Sequence, residues 1–230
     1  MLMTDPRIIV AIDTFDFEKA DAILEQLNPD LCLVKIGSVV FNALGKPFLK
    51  HASSKGFKIF LDLKLHDIPN TVHETIIGFN DCKIDMLTVH LSGGEKMLRK
   101  AMLAGISINT KVIGVSMLTS LEEKDSLTLF GNKLEDQISN LFKIAIKANI
   151  DGIVCSPHEL KIANTILDSH SIKITPGIRD IKVEDDQART MSAKEAIERG
   201  STFLVIGRPI TQAEDISQAL QIFNNSIYEK

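Results

Sequence analysis

Cysteine is scarce and unpatterned in this chain. The three, Cys32, Cys82 and Cys155, are odd in number, far apart and form no C-x-x-C pair. A disulfide framework needs paired thiols and a zinc cluster needs closely spaced ligands, so neither is expected, and a reducing cytoplasmic compartment fits best. Long apolar runs are also missing: none reaches the ~20 residues that cross a bilayer. The first one, Ile8–Ile12, is too short for a signal peptide and is followed by Asp13. Basic residues are in deficit, with 26 Lys and Arg against 30 Asp and Glu and a formal net charge of -4. That argues against general nucleic-acid binding, which needs a basic excess, but a few placed lysines and arginines still make a local site for an anionic small molecule. No low-complexity segment or Pro/Gly/Ser-rich linker divides the chain, so one compact domain over 1–230 is expected.

Several catalytic signatures are absent as well. No G-x-G-x-x-G follows the first apolar run, where the turn reads Asp13-Thr14-Phe15-Asp16. Neither His-x-His nor H-E-x-x-H occurs, so a zinc site is not expected, and His66 and His90 fall singly near strand ends, His90 reading as a core-edge residue. No G-x-S-x-G supports a serine hydrolase, and the cysteines lie in strand or helix patterns that give no support to a thiol nucleophile.

What is present is an ordinary globular composition, 44% hydrophobic and 24% charged over 230 residues. Short apolar runs expected as strands, at 8–13, 31–37, 58–64, 86–90, 111–117, 152–156, 173–176 and 203–207, alternate with longer amphipathic stretches. Helices are expected at 17–27, 72–82, 95–104, 134–148, 158–167, 193–199 and 215–227. Strands that alternate with helices pair in parallel, because a parallel neighbour needs a crossover. Eight such units in this length point to an α/β fold of the single (β/α)8 TIM-barrel type, with an open doubly wound sheet as the alternative. Two stretches, 119–132 and 179–188, read as long polar loops, and loops after barrel strands gather at the C-terminal mouth where active sites sit.

Side chains alternate faces along a strand. In the third run Phe60, Asp62 and Lys64 share the face that points into the barrel, while Ile59, Leu61, Leu63 and Leu65 share the other. Asp13 and Lys35 end the inward rows of the first two runs, above Ile9 and Ala11 and above Leu31 and Leu33. Neighbouring strands lie ~5 Å apart, which makes Lys35 and the Asp62/Lys64 pair potential neighbours. A single buried acid–lysine pair can be a polar plug, but desolvating each ion costs several kcal/mol before pairing returns any of it. Four such residues on three adjacent strands therefore point to a site. The seventh and eighth runs end in Thr175-Pro176-Gly177-Ile178-Arg179 and Ile206-Gly207-Arg208-Pro209. Loops in these two positions often hold phosphate in barrels, with glycine admitting the anion to the backbone N–H groups and arginine gripping it bidentately.

The run Asp62-Leu-Lys64-Leu-His66-Asp67-Ile68-Pro69-Asn70-Thr71 resembles the D-x-K-x-x-D-I-P-N-T signature of the orotidine 5′-monophosphate decarboxylase family. The likeness extends to Ala11-Ile-Asp13, Lys35-Ile-Gly37, Leu118-Thr119-Ser120, Asp186-Gln187-Ala-Arg189 and Val205-Ile-Gly207-Arg208-Pro-Ile-Thr211. It implies an enzyme that removes CO₂ from orotidine 5′-monophosphate with no metal and no organic cofactor. Lys64 is then the proton donor to C6, with Asp62 beside the substrate carboxylate and Lys35 and Asp13 at the ribose hydroxyls. Asp67, Ile68 and Thr71 reach into the partner's site of a homodimer. Thr119 lies by the base and Gln187 bridges base and phosphate. Pro176 lines the site, and Arg179, Gly207 and Arg208 bind at or near the phosphate. Thr71 and Glu74 also have the spacing of a helix capping box. Two competing readings are a Mg²⁺-dependent sugar-phosphate decarboxylase or aldolase on the same barrel and a non-catalytic sensor of a phosphorylated ligand.

Overall fold

The computed structural model describes residues 6–178 and 191–228. Eight strands, β1 (Ile8–Ile12), β2 (Cys32–Gly37), β3 (Ile59–Leu65), β4 (Met86–His90), β5 (Lys111–Val115), β6 (Gly152–Val154), β7 (Ile172–Thr175) and β8 (Phe203–Ile206), pair in parallel in chain order. Closure of β8 on β1 completes the barrel. The helices are α1 (Phe17–Gln26), α2 (Ser38–Ser54), α3 (Pro69–Ile77), α4 (Gly94–Ser107), α5 (Glu123–Phe130), α6 (Leu134–Ala148), α7 (Leu160–Ile166), α8 (Ala193–Glu198), α9 (Arg208–Thr211) and α10 (Ile216–Tyr228). The expected barrel is the one observed.

The strands are apolar on both faces because each face is covered. Ile9, Leu33, Phe60, Met86, Ile113 and Ile174 meet inside the barrel. Ile8, Val10, Ile12, Val34, Ile36 and Leu61 belong to the larger outer cluster beneath the helices. Burying each such side chain is worth roughly 1.5–3 kcal/mol, so the inner layer fixes strand register as well as stability. Register places Ile9 beside Leu33 and Ala11 beside Lys35, then Lys35 beside Phe60 and Gly37 beside Asp62. Moving up the barrel from Ile9 and Leu33, the interior changes from apolar to charged within one residue pair. That change locates the site.

Three details differ from the sequence expectations. α2 is not among the helices read from the pattern, because Gly45 (φ 60°) and Pro47 interrupt its periodicity. The stretch 119–132 is not a continuous loop: α5 forms within it, with Glu122 N–H donating to Asp125 Oδ2 at 2.9 Å and Gly131 closing the helix at φ 70°. Thr71 and Glu74 form no capping box. α3 begins at Pro69, whose fixed φ suits a first helical position, with Ile68 as its cap. Thr71 thus lies inside the helix, its C=O accepting from the Thr75 hydroxyl, and Glu74 pairs with His73.

α1 and α2 are tied by a polar cluster. His51 Nε2 lies 2.6 Å from Asp21 Oδ1, Lys55 Nζ lies 3.1 Å from the same oxygen, and the Phe17 ring lies 5.2 Å from the His51 ring. The hydrogen bond from His51, followed by that from Lys55, holds the Asp21 carboxyl below the usual carboxylate value against the opposing effect of desolvation. A depressed carboxylate stabilises the fold above its unfolded pKa and loses that contribution as pH falls through the folded value. Asp21→Asn should therefore lower unfolding free energy at pH 7 by no more than about 1 kcal/mol, since the cluster is partly open to water. The gap between wild type and variant, read by denaturant titration, should narrow as pH drops below about 4.

Candidate active site

β1, β2 and β3 deliver Asp13, Lys35, Asp62 and Lys64 to the C-terminal mouth. Lys35 Nζ is 3.2 Å from Asp13 Oδ1 and 3.9 Å from Asp62 Oδ2, and Lys64 Nζ is 2.8 Å from that same Asp62 oxygen. Side-chain exposure grades across the row: Asp62 is 11% exposed, Lys35 13%, Lys64 36% and Asp13 57%. The central acid is nearly closed off, and the Lys64 ammonium is open enough to meet a ligand. Gly37 keeps the row intact, since a Cβ there would stand 3.0 Å from Lys35 Nζ.

Asp62 has a further partner. The Thr88 hydroxyl, on β4, donates to Asp62 Oδ1 at 2.9 Å and accepts from the Lys64 backbone N–H at 2.8 Å. Sequence reading passed over this threonine because it lies in a short apolar strand. The only signal available was its place two residues above Met86 on the inward row.

A cleft of about 280 Å³ joins these charges to the loops after β7 and β8: Asp13 and Lys35 form one wall, and Pro176, Gly177, Gly207 and Arg208 form the other. Gly177 has a φ of 79°, a left-handed conformation that glycine adopts without steric cost. Gly207 approaches β1, where a Cβ would lie 3.5 Å from that of Ala11. A larger cavity, about 500 Å³, opens at the opposite mouth beside Lys58, Asp85, Lys111 and Asp151. The acids there are already engaged in holding strand starts: Asp85 accepts from Ile59 N–H and Asp151 from Val112 N–H, each at 2.8 Å. The smaller cleft is the one that opens at the mouth carrying the charged row, between Asp13 and Lys35 on one side and glycine-lined loops on the other.

The remaining expected residues distribute around this mouth. Asp67, Ile68 and Thr71 lie on the outside, exposed, at the start of α3, and Asp67 Oδ1 accepts from Ile68 N–H at 2.6 Å. None of the three joins the charged row within this chain. Thr119 is exposed in the turn after β5. Arg179 and Gln187 lie outside the described residues. Ser156, just past β6, carries a buried hydroxyl oxygen with no hydrogen-bond partner among the described residues. Among the described residues no group of three or more His, Cys, Asp or Glu is placed to hold a metal ion. No described helix is long and apolar enough to cross a membrane.

Fold and site together define a (β/α)8-barrel with an alternating acid–lysine row on strands one to three and a glycine-walled cleft after strands seven and eight. The chain belongs to the Orotidine 5'-phosphate decarboxylase / HUMPS family, whose profile matches residues 6–223. An orotidine 5'-phosphate decarboxylase of Coxiella burnetii is 40% identical over 229 residues, covering 97% of both chains. One from Legionella pneumophila is 41% identical over 215 residues, covering 91% of this chain and 94% of its own. The crystal structure of orotidine 5'-phosphate decarboxylase from Lactobacillus acidophilus superposes with a TM-score of 0.86 at 34% identity, covering 98% of this chain and all of that one.

His90 reports on the charges of the row. Its ring lies 5.5 Å from that of His66. Burial first, then the charges of His66 and Lys64, push its pKa below the ordinary imidazole value, and Asp62 opposes them. Histidine NMR titration should give His90 a midpoint below that of free imidazole. Lys64→Ala should move it up and Asp62→Asn should move it down, because the first removes a repelling cation and the second an attracting anion. Equal midpoints in all three proteins would show that the row does not act on this ring.

Proposed function

We propose that this chain decarboxylates orotidine 5′-phosphate to uridine 5′-phosphate and CO₂, a step of pyrimidine biosynthesis, as a single cytoplasmic catalytic domain that needs no metal or organic cofactor. The observation that carries the reading is the Lys35–Asp62–Lys64 row, whose Lys35 lines, with Asp13, a cleft with a far wall that suits a phosphate, in a chain of this family. Breaking the bond from C6 to the carboxylate releases CO₂ and leaves an electron pair on C6. That pair lies in the ring plane, where the π system cannot delocalise it. Stabilisation must come from a positive charge aimed at C6, and Lys64 supplies one and then donates a proton to the same carbon. Asp62, which already binds Lys64, sits beside the departing carboxylate. Asp13 and Lys35 hold ribose hydroxyls. Thr119 lies by the base and Gln187 reaches both base and phosphate.

Binding energy from the remote phosphate contributes by fixing geometry at C6. Pro176, Arg179, Gly207 and Arg208 are assigned to that end. The exposed Asp67, Ile68 and Thr71 are assigned to the neighbouring site of a homodimer. Ile68 is 68% exposed, an apolar side chain that a partner surface would cover.

Purified protein mixed with orotidine 5′-phosphate and a chelator should release CO₂ with loss of orotate absorbance. Activity that disappears in chelator would favour a metal-dependent sugar-phosphate enzyme, and binding without CO₂ would favour a sensor. Lys64→Ala should lower kcat by at least about 10³-fold, the combined scale of a general acid and an electrostatic stabiliser. Arg208→Ala should lower kcat/KM although the substituted side chain is assigned to the phosphate and not the ring. Unchanged kcat/KM in that variant would remove Arg208 from the site.

A further inference from the structure

β3 and β4 fall out of step beside the mouth. Phe60 pairs with Met86 and Leu61 with Leu87, but the next pair is Leu65 with Val89. The three residues from Asp62 to Lys64 therefore stand opposite one residue, Thr88. Lys64 leaves this bulge with a φ of 51°, in the left-handed region that a residue with a Cβ adopts at a cost. Bulges leave residues unpaired and re-aim side chains next to active sites. Here the unpaired N–H is that of Lys64, and the Thr88 hydroxyl replaces the missing ladder acceptor at 2.8 Å. An N–H can only donate, so the hydroxyl accepts there and keeps its own proton for Asp62 Oδ1, 2.9 Å away. The other Asp62 oxygen receives the Lys64 ammonium at 2.8 Å. Backbone, hydroxyl, carboxylate and ammonium thus form a closed ring that begins and ends on Lys64. Thr88 is fully buried, so no bulk water stands ready to take over its hydrogen bonds.

We infer that Thr88 is a positioning residue for the decarboxylation: its hydroxyl sets the plane of the Asp62 carboxylate and the left-handed backbone of Lys64, and so the direction of the ammonium. The inference rests on the function proposed above and adds to it a residue that acts through Lys64 and Asp62 and not on the substrate.

The test compares Thr88→Ser with Thr88→Ala in the full chain. Both lose the methyl group, so shared packing losses cancel and the hydroxyl alone separates them. The Ala variant should lose about 10²-fold in kcat with little change in KM, as expected when a reacting group is displaced by about 1 Å and the phosphate contacts stay in place. The Ser variant should stay within a few-fold of wild type. Thr88→Val, which keeps the volume and lacks the hydroxyl, provides the same comparison should the Ala protein fail to fold. Equal kcat in the hydroxyl-bearing and hydroxyl-free variants, or a loss confined to KM, overturns the inference while leaving Lys64 as proton donor. A wild-type protein that releases no CO₂ from orotidine 5′-phosphate overturns the proposed function, and this inference with it.

Discussion

Charge inside a closed apolar barrel must be compensated locally, and this constraint shapes the upper half of the molecule. Desolvating each ion costs several kcal/mol, so a lone aspartate at Asp62 would be strongly destabilising. Asp62 is instead surrounded: Lys64 at 2.8 Å, Lys35 at 3.9 Å and the Thr88 hydroxyl at 2.9 Å. The arrangement leaves Lys64 as the cation with one side held and the other side accessible. Ion pairs of this kind are weak arguments for stability, because well-packed apolar residues do as well or better. Their presence at a barrel mouth is better explained by chemistry that needs a fixed positive charge.

The rest of the fold serves that charge. The interior layer of Ile9, Leu33, Phe60, Met86, Ile113 and Ile174 fixes strand register, and register decides which residues reach the mouth. A slip of one residue would exchange Asp62 and Lys64 for Leu61 and Leu63. Gly37 leaves space for the Lys35 ammonium, and the loops after β7 and β8 bring glycine-lined backbone to the far side of the same cleft. One wall of the cleft is thus glycine-lined backbone, while the other carries Asp13 and Lys35, the outer part of the row. That separation is what catalysis by remote binding energy requires.

Much of this was legible in the sequence. Eight β-rich runs alternating with helical patterns specify the barrel, and inward periodicity alone places Asp13, Lys35, Asp62 and Lys64 together. The features that were not legible depend on local backbone geometry. Simple alternation treats Lys64 as a regular strand residue, whereas it sits in a left-handed bulge that pairwise register reveals. Thr88 carries no signal until that bulge is seen. α5 was read as loop because its polar residues mask a short helix capped by Glu122 and Asp125. The Thr71–Glu74 spacing suggested a cap, but Pro69 starts the helix earlier and shifts Thr71 into its first turn.

The central claim is that the Lys64 ammonium stabilises and protonates an electron pair localised at C6. Microscopic reversibility makes this directly measurable without decarboxylation, because the same group must then remove and return the C6 proton of the product. Uridine 5′-phosphate incubated with the enzyme in D₂O, followed by proton NMR, should lose its C6 hydrogen signal with wild type and keep it with Lys64→Ala. Exchange at the wild-type rate in the variant would contradict the account.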